Sequence, residues 1–152
     1  MPQKIVCQNR KAFHDYFIVE KFETGIVLKG SEVKSLRAGR ANIKESYARI
    51  MKGELFLIGA HINPYAQVDQ ASKPDPLRTR KLLVHKRELR KFIGKIKEEG
   101  YTLVPLKMYF RRGKAKVEIG LAKGKKLHDK RESIKRKDSD REMARALKKG
   151  RQ

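Results

Sequence analysis

All eleven aromatic residues of this 152-residue chain lie within residues 1–122, and residues 123–152 contain none. Burial of bulky apolar groups is what offsets the conformational entropy lost on folding, so a segment without them cannot order itself unaided. The chain is therefore expected to divide into a folded domain over residues 1–122 and a tail over 123–152. The first segment is long enough to close one hydrophobic core.

Charge follows the same division. Lys and Arg number 39 against 17 Asp and Glu, a net charge of +22, with +14 on residues 1–122 and +8 on the last thirty. So much surplus positive charge repels itself unless a polyanion lies opposite, which points first to nucleic acid and second to an anionic membrane surface. A neutral small-molecule substrate fits poorly. No apolar run approaches the roughly 18 residues of a membrane-spanning helix, and Met1 to Arg10 lacks the apolar stretch of a secretory signal. A lone cysteine, Cys7, forms no internal disulfide and agrees with a cytoplasmic location.

The tail has helical features. Glu132 and Arg136 form a favourable i,i+4 pair, Asp138–Arg141 and Glu142–Arg145 are i,i+3 pairs, and Lys137, Arg141, Arg145 and Lys149 recur every four residues. Ile134, Met143 and Leu147 make too thin an apolar stripe to dock on a core. Composition leaves two readings open: a solvated solubility tail, or an arm that is disordered when free and becomes helical against RNA phosphates.

In the body, Tyr16–Phe22 has strand composition, Thr24-Gly25 is expected to break it, and Ile26–Lys29 resumes it. Ser31 is placed to cap a short helix carrying Val33 and Leu36. Lys52-Gly53 joins Tyr47–Met51 to Glu54–Ile58 as a hairpin, residues 63–80 with three prolines read as a long loop, and Lys81–Val84 as a short edge segment. Leu89, Phe92, Ile93 and Ile96 keep helical spacing up to Gly100, and Tyr101–Phe110 and Ala115–Ala122 read as strands joined by Arg-Arg-Gly-Lys. Roughly six strands and two or three short helices make an α+β domain that is mainly β, and a small, partly closed antiparallel barrel of OB type suits the spacing.

No constellation demands an enzyme. Gly120 to Lys126 has too few residues between its glycines for a phosphate-binding loop and Lys where the magnesium-binding hydroxyl belongs. No His-Glu-x-x-His pair or Gly-x-Ser-x-Gly turn occurs, and His14, His61, His85 and His128 are too dispersed to imply a metal. Neither a cofactor nor a metal is expected. What remains is aromatics among basic groups, with His14, Tyr16, Tyr47 and Tyr65 near Lys and Arg, and a cluster of Arg78, Arg80, Lys81, Lys86 and Arg87. That mix stacks on bases while neutralising phosphates. Core packing of the strand tyrosines and solvated charge are the plainer accounts.

Specific strings go further. Asn9-Arg-Lys-Ala-Phe-His-Asp-Tyr16, then Gly30-Ser-Glu-Val-Lys-Ser-Leu-Arg-Ala-Gly39, Asn63-Pro-Tyr65, Arg78-Thr-Arg-Lys-Leu-Leu83, Gly100-Tyr-Thr-Leu-Val-Pro-Leu106, Lys116-Val-Glu-Ile119 and Ala122 to Arg131 stand in the order of the SsrA-binding protein (small protein B) family, which this chain closely resembles from about residue 5 to 131. The resemblance implies an OB-like β-barrel with accompanying helices and a noncatalytic adaptor of trans-translation. Such an adaptor binds the tRNA-like domain of tmRNA and brings it to stalled ribosomes, standing in for the anticodon arm. Elongation factor Tu and alanyl-tRNA synthetase are implied as indirect partners, and no membrane is.

Residue by residue, the resemblance implicates Asn9, His14, Tyr16, Glu23, Tyr47 and Leu83 in facing tmRNA. Arg80 and Lys81 are implied as phosphate contacts, and His85 is a further carry-over. Lys123, Gly124, Lys125, Lys126, His128, Asp129, Lys130 and Arg131 are implied as contacts in the small-subunit decoding centre, with the tail helical in the messenger channel and His128 stacking on a ribosomal base. A ribosomal protein with a basic rRNA-binding extension is the alternative.

Overall fold

The computed structural model describes residues 4–64 and 73–125. Among them are nine strands and three helices: β1 (Lys4–Gln8), α1 (Lys11–Asp15), β2 (Tyr16–Ile26), α2 (Gly30–Arg37), β3 (Ala41–Asn42), β4 (Tyr47–Met51), β5 (Glu54–Ile58), β6 (His61–Ile62), β7 (Arg80–Leu83), α3 (Lys86–Glu99), β8 (Thr102–Arg111) and β9 (Lys114–Gly124). The protein is mainly β, as expected, with more strands than periodicity indicated.

Both long hairpins turn on a Lys-Gly or Arg-Gly pair at positive φ, Lys52 at 50° and Gly53 at 74°, Arg112 at 52° and Gly113 at 75°. Two successive positive-φ residues match the right-handed twist of the flanking strands, which is why these pairs sit between alternating runs. β4 then pairs with β5, and β8 with β9, in antiparallel register.

All seven strands of the large sheet are antiparallel, in the order β1-β8-β4-β5-β7-β2-β9. β9 also pairs with β8, so the ladder from β8 through β4, β5, β7, β2 and β9 returns to its start, with β1 appended to β8. β3 and β6 form a separate two-stranded ribbon.

Three local expectations need correction. β2 does not break at Thr24-Gly25: the Thr24 hydroxyl donates to the Val117 carbonyl at 2.9 Å, and Gly25 pairs with Leu83. A Cβ on Gly25 would lie 3.3 Å from the Leu83 Cβ, so glycine here permits the close approach of β7. Ser31 does not cap α2. Lys29 occupies that position in extended conformation, and its N–H donates to the Glu32 carboxylate at 2.9 Å. β7 is no edge segment but lies between β5 and β2.

The inward residues of the strands build the main core, including Leu55, Leu57, Leu82, Leu103, Val117, Ile119 and Leu121. α3 covers it by inserting Phe92, which is wholly buried, edge-on against Phe22 with ring centres 4.1 Å apart. Ala12, Val104, Leu106 and Ala122 form a second, smaller cluster beneath α1, with Tyr16 and Ile18 packed against it. Among the described residues, no helix is long and apolar enough to cross a membrane.

Candidate nucleic-acid interface

Along β2 Phe17, Val19, Lys21 and Glu23 are exposed while Phe22, Thr24 and Ile26 are buried. A β-bulge between Ile18 and Glu20 resets the alternation, so that Lys21 and Glu23 share the outward face and Phe17 lies on the other. At one end of this outward face the Gly25–Leu83 pairing brings Leu83 beside Glu23. Leu83 is 52% exposed, although an apolar side chain gains nothing from water. Lys81, one pleat back on β7, also faces outward and reaches Glu54 at 3.1 Å. His85 caps the N-terminus of α3 with its backbone, leaves its ring out of the cap, and stands exposed two residues beyond Leu83.

The Glu23 carboxylate is held in place. It accepts from the Tyr109 hydroxyl at 2.7 Å and from Arg111 Nη1 at 3.1 Å. The Tyr109 hydrogen bond, with help from Arg111, holds the Glu23 carboxyl below its ordinary range against the opposing effect of burial. Burial and the Glu23 carboxylate together push the Tyr109 phenol well above its own. Glu23 is thus an ionised acceptor in fixed orientation, with lone pairs left for an incoming N–H or O–H. Tyr109 and Arg111, its two holders, were not singled out by sequence. They lie 86 and 88 residues away, and only the fold brings them to it.

Asn9, Tyr16 and Tyr47 form a second group. They line a cleft of about 280 Å³ where α1 approaches β4 and the start of β8. Tyr47 is 49% exposed at its lip. Asn9 is buried: its N–H donates to the Leu106 carbonyl at 2.8 Å and its Nδ2 to the Pro105 carbonyl at 3.1 Å, while Oδ1 has no partner among the described residues. It ties the β1–α1 corner to β8. His14, on α1, places Nδ1 3.1 Å from the Asp15 carboxylate. Seven residues of strand separate Tyr16 from Glu23, about 23 Å at the usual strand rise. The residues implied as one surface therefore form two groups joined by β2.

Arg80 departs from expectation. Rather than meeting phosphate it is wholly buried: Nε donates to Glu32 at 2.7 Å, Nη1 to the Ala60 carbonyl at 2.8 Å and Nη2 to the Pro76 carbonyl at 3.1 Å. Glu32, also buried, binds Arg78 as well. Burial raises the Glu32 carboxyl, but hydrogen bonds from Arg78, the Lys29 N–H and Arg80 outweigh it and the net direction is down. Burial likewise lowers Arg80 against the pull of Glu32. This triad fastens the segment before β7 to α2, and so holds the strand from which Lys81 and Leu83 project.

Of the residues implied as ribosomal contacts, Lys123 and Gly124 belong to β9, paired with Phe17 and Tyr16, so the strand passes the expected boundary at 122. The Lys125 N–H donates to the Asp15 carbonyl at 2.9 Å. Lys126, His128, Asp129, Lys130, Arg131 and Tyr65 lie outside the described residues.

The SmpB protein family model matches residues 6–149. The chain belongs to the SmpB family. It is 60% identical over 147 residues to the SsrA-binding protein of Geobacter sulfurreducens, a match covering 97% of this chain and 95% of that one. It is 58% identical over 144 residues to the SsrA-binding protein of Bacillus subtilis, covering 95% and 92%. A chain from the solved structure described as "tmRNA-SmpB: a journey to the center of the bacterial ribosome" is similar with a TM-score of 0.66 and 52% identity, covering 84% of this chain and 93% of that chain.

Proposed function

We propose that this SmpB-family chain binds tmRNA and serves trans-translation as an adaptor between that RNA and the stalled ribosome, in the cytoplasm and without catalysis. The observation that carries the reading is the family match along residues 6–149, with relatives named SsrA-binding protein that are matched over nearly their full length. The solved relative described together with tmRNA and the bacterial ribosome supports the same partners.

The returning ladder of six strands supports reading the body as an OB-like barrel. In this reading the fixed Glu23 carboxylate accepts from base or ribose donors, exposed Leu83 and Tyr47 meet apolar faces of the RNA, and Lys81 and His85 flank them. The aromatic-free basic segment beyond Lys125 serves ribosomal RNA in the decoding centre and messenger channel, a task separate from that of the body.

Gel-shift competition tests the first half: the tRNA-like domain of tmRNA should displace labelled RNA at far lower concentration than bulk tRNA, and equal competition refutes the reading. Truncation tests the second half. Because β9 extends to Gly124, the cut belongs after Lys125; the truncated protein should keep tmRNA affinity and lose peptide tagging on stalled ribosomes. Loss of RNA binding with the cut would show that body and tail do not have separate tasks.

A further inference from the structure

Between the two groups of implied RNA contacts, α1 and the bulged Phe17–Val19 stretch of β2 expose an apolar strip that neither group accounts for. Phe17 is 47% exposed and Val19 56%, and Phe13 of α1, alongside, is 44% exposed. Single exposed apolar residues are ordinary; adjoining ones mark a contact surface. These adjoin through lysines. Lys125 Nζ stands 4.9 Å from the Phe17 ring centre and donates to the Phe13 carbonyl at 3.2 Å, and Lys21 Nζ stands 5.3 Å from the Phe13 ring centre. Lys123 lies directly opposite Phe17 in the β9 ladder. Beside Phe13 runs a groove of about 230 Å³ lined by Arg10, Lys21 and Lys107, with Glu118 its one carboxylate.

We propose that this strip seats an unpaired stretch of RNA, with bases stacked on Phe17 and Phe13 and the intervening phosphates met by Lys21, Lys123 and Lys125. The inference rests on the reading that the chain binds tmRNA, and adds where unpaired nucleotides of that RNA lie. A ring with an ammonium near its face already holds both halves of nucleotide recognition. A base that stacks on the ring takes the lysine's place there, and the displaced ammonium turns to the neighbouring phosphate. Stacking on an aromatic is worth more than an exposed cation–π contact, so the exchange is favourable. A neutral apolar protein surface laid on the strip would bury the ammoniums without a counter-charge, which is costly. Paired bases are excluded because their faces are already stacked within the helix.

The test uses the full-length protein and two probes, the tRNA-like domain of tmRNA with 2-aminopurine at each unpaired loop position in turn, and a twelve-nucleotide oligouridylate. Phe17→Leu and Phe13→Leu keep apolar volume and remove the π face, so thermal stability should stay unchanged. The wild type should quench 2-aminopurine at one or more loop positions. Phe17→Leu should abolish that quenching and weaken both probes by about 5- to 100-fold with the salt slope unaltered. Lys21→Gln should instead lower the slope by about 0.7. Wild-type affinity and quenching in the Phe13→Leu, Phe17→Leu double variant would overturn the proposal while leaving tmRNA binding intact. Failure of the wild type to prefer tmRNA over bulk tRNA, with phenylalanine-dependent oligouridylate binding retained, would overturn the functional reading and leave the strip as a single-strand site.

Discussion

Replacing Glu32 by Gln removes one negative charge from a site where two guanidinium groups converge, at nearly constant volume. The side chain is 1% exposed and its partner Arg80 is fully buried, so water does not take over the lost interaction. Arg80 would keep its bonds to the Ala60 and Pro76 carbonyls, but its charge would lose the carboxylate bonded to it and keep only the more distant pull of Asp75. Breaking one side of a buried ion pair costs about 3–5 kcal/mol. A folded body of about 120 residues has an unfolding entropy near 0.25 kcal/mol per kelvin, so the expected fall in Tm is about 12–20 °C. The comparison variant Arg78→Ala should cost less, since Arg78 is 25% exposed and water replaces its bond. Thermal melts followed by circular dichroism, with urea titrations for the free energy, decide the matter. A loss below about 1 kcal/mol for Glu32→Gln would refute the claim that Glu32 compensates a buried Arg80. So would an Arg80→Met variant that keeps its stability while its RNA-binding salt slope drops by about one phosphate's worth, since that is the signature of a phosphate contact.

Two further outcomes follow from the same geometry. Glu23 and Glu32 are both held below the ordinary carboxylate range, so each binds its proton less readily folded than unfolded. Their stabilisation is therefore present above about pH 4.3, the unfolded carboxyl value, and lost as pH falls through the lower folded values; a urea midpoint that rises between pH 5 and pH 3 would contradict this. Leu83→Ala, at a half-exposed position, should change stability by less than about 1 kcal/mol yet weaken binding of the tRNA-like domain, and unchanged affinity would remove Leu83 from the interface.

What the sequence made legible depended on whether the signal was local. Lys52-Gly53 and the Leu89–Phe92–Ile96 spacing carry their structure in neighbouring residues, and both expectations held. Thr24-Gly25 misled because glycine looks like a breaker until the partner strand is known: here it makes room for Leu83, which lies 58 positions away. Arg80 misled for a related reason. A basic cluster reads as surface charge, and nothing near residue 80 reveals that Glu32 waits beneath it. Glu23 was singled out through family resemblance alone, while Tyr109 and Arg111, which bond it, carry no local signature of doing so. The strip of Phe13 and Phe17 was not legible. Alternation would put Phe17 on the face of Glu23, but a β-bulge after Ile18 takes it off that face. The lysines at the two rings, Lys125 just past β9 and Lys21 of β2, meet them only in the fold.

The end of β9 has a consequence for how two RNA contacts would reinforce each other. Gly124 is paired to Tyr16 and the Lys125 N–H is bonded to the Asp15 carbonyl, so the basic segment departs from a fixed origin beside α1, with no slack between that origin and the surface proposed to meet tmRNA. When two sites on one molecule are joined without slack, engagement of the first confines the search of the second to a small volume, and the second event proceeds at a high effective concentration. Weak affinity of the tail for ribosomal RNA would then suffice, provided the body had already been delivered. Lengthening the junction after Lys125 with glycine and serine would leave each separate affinity alone and dilute only their joint action.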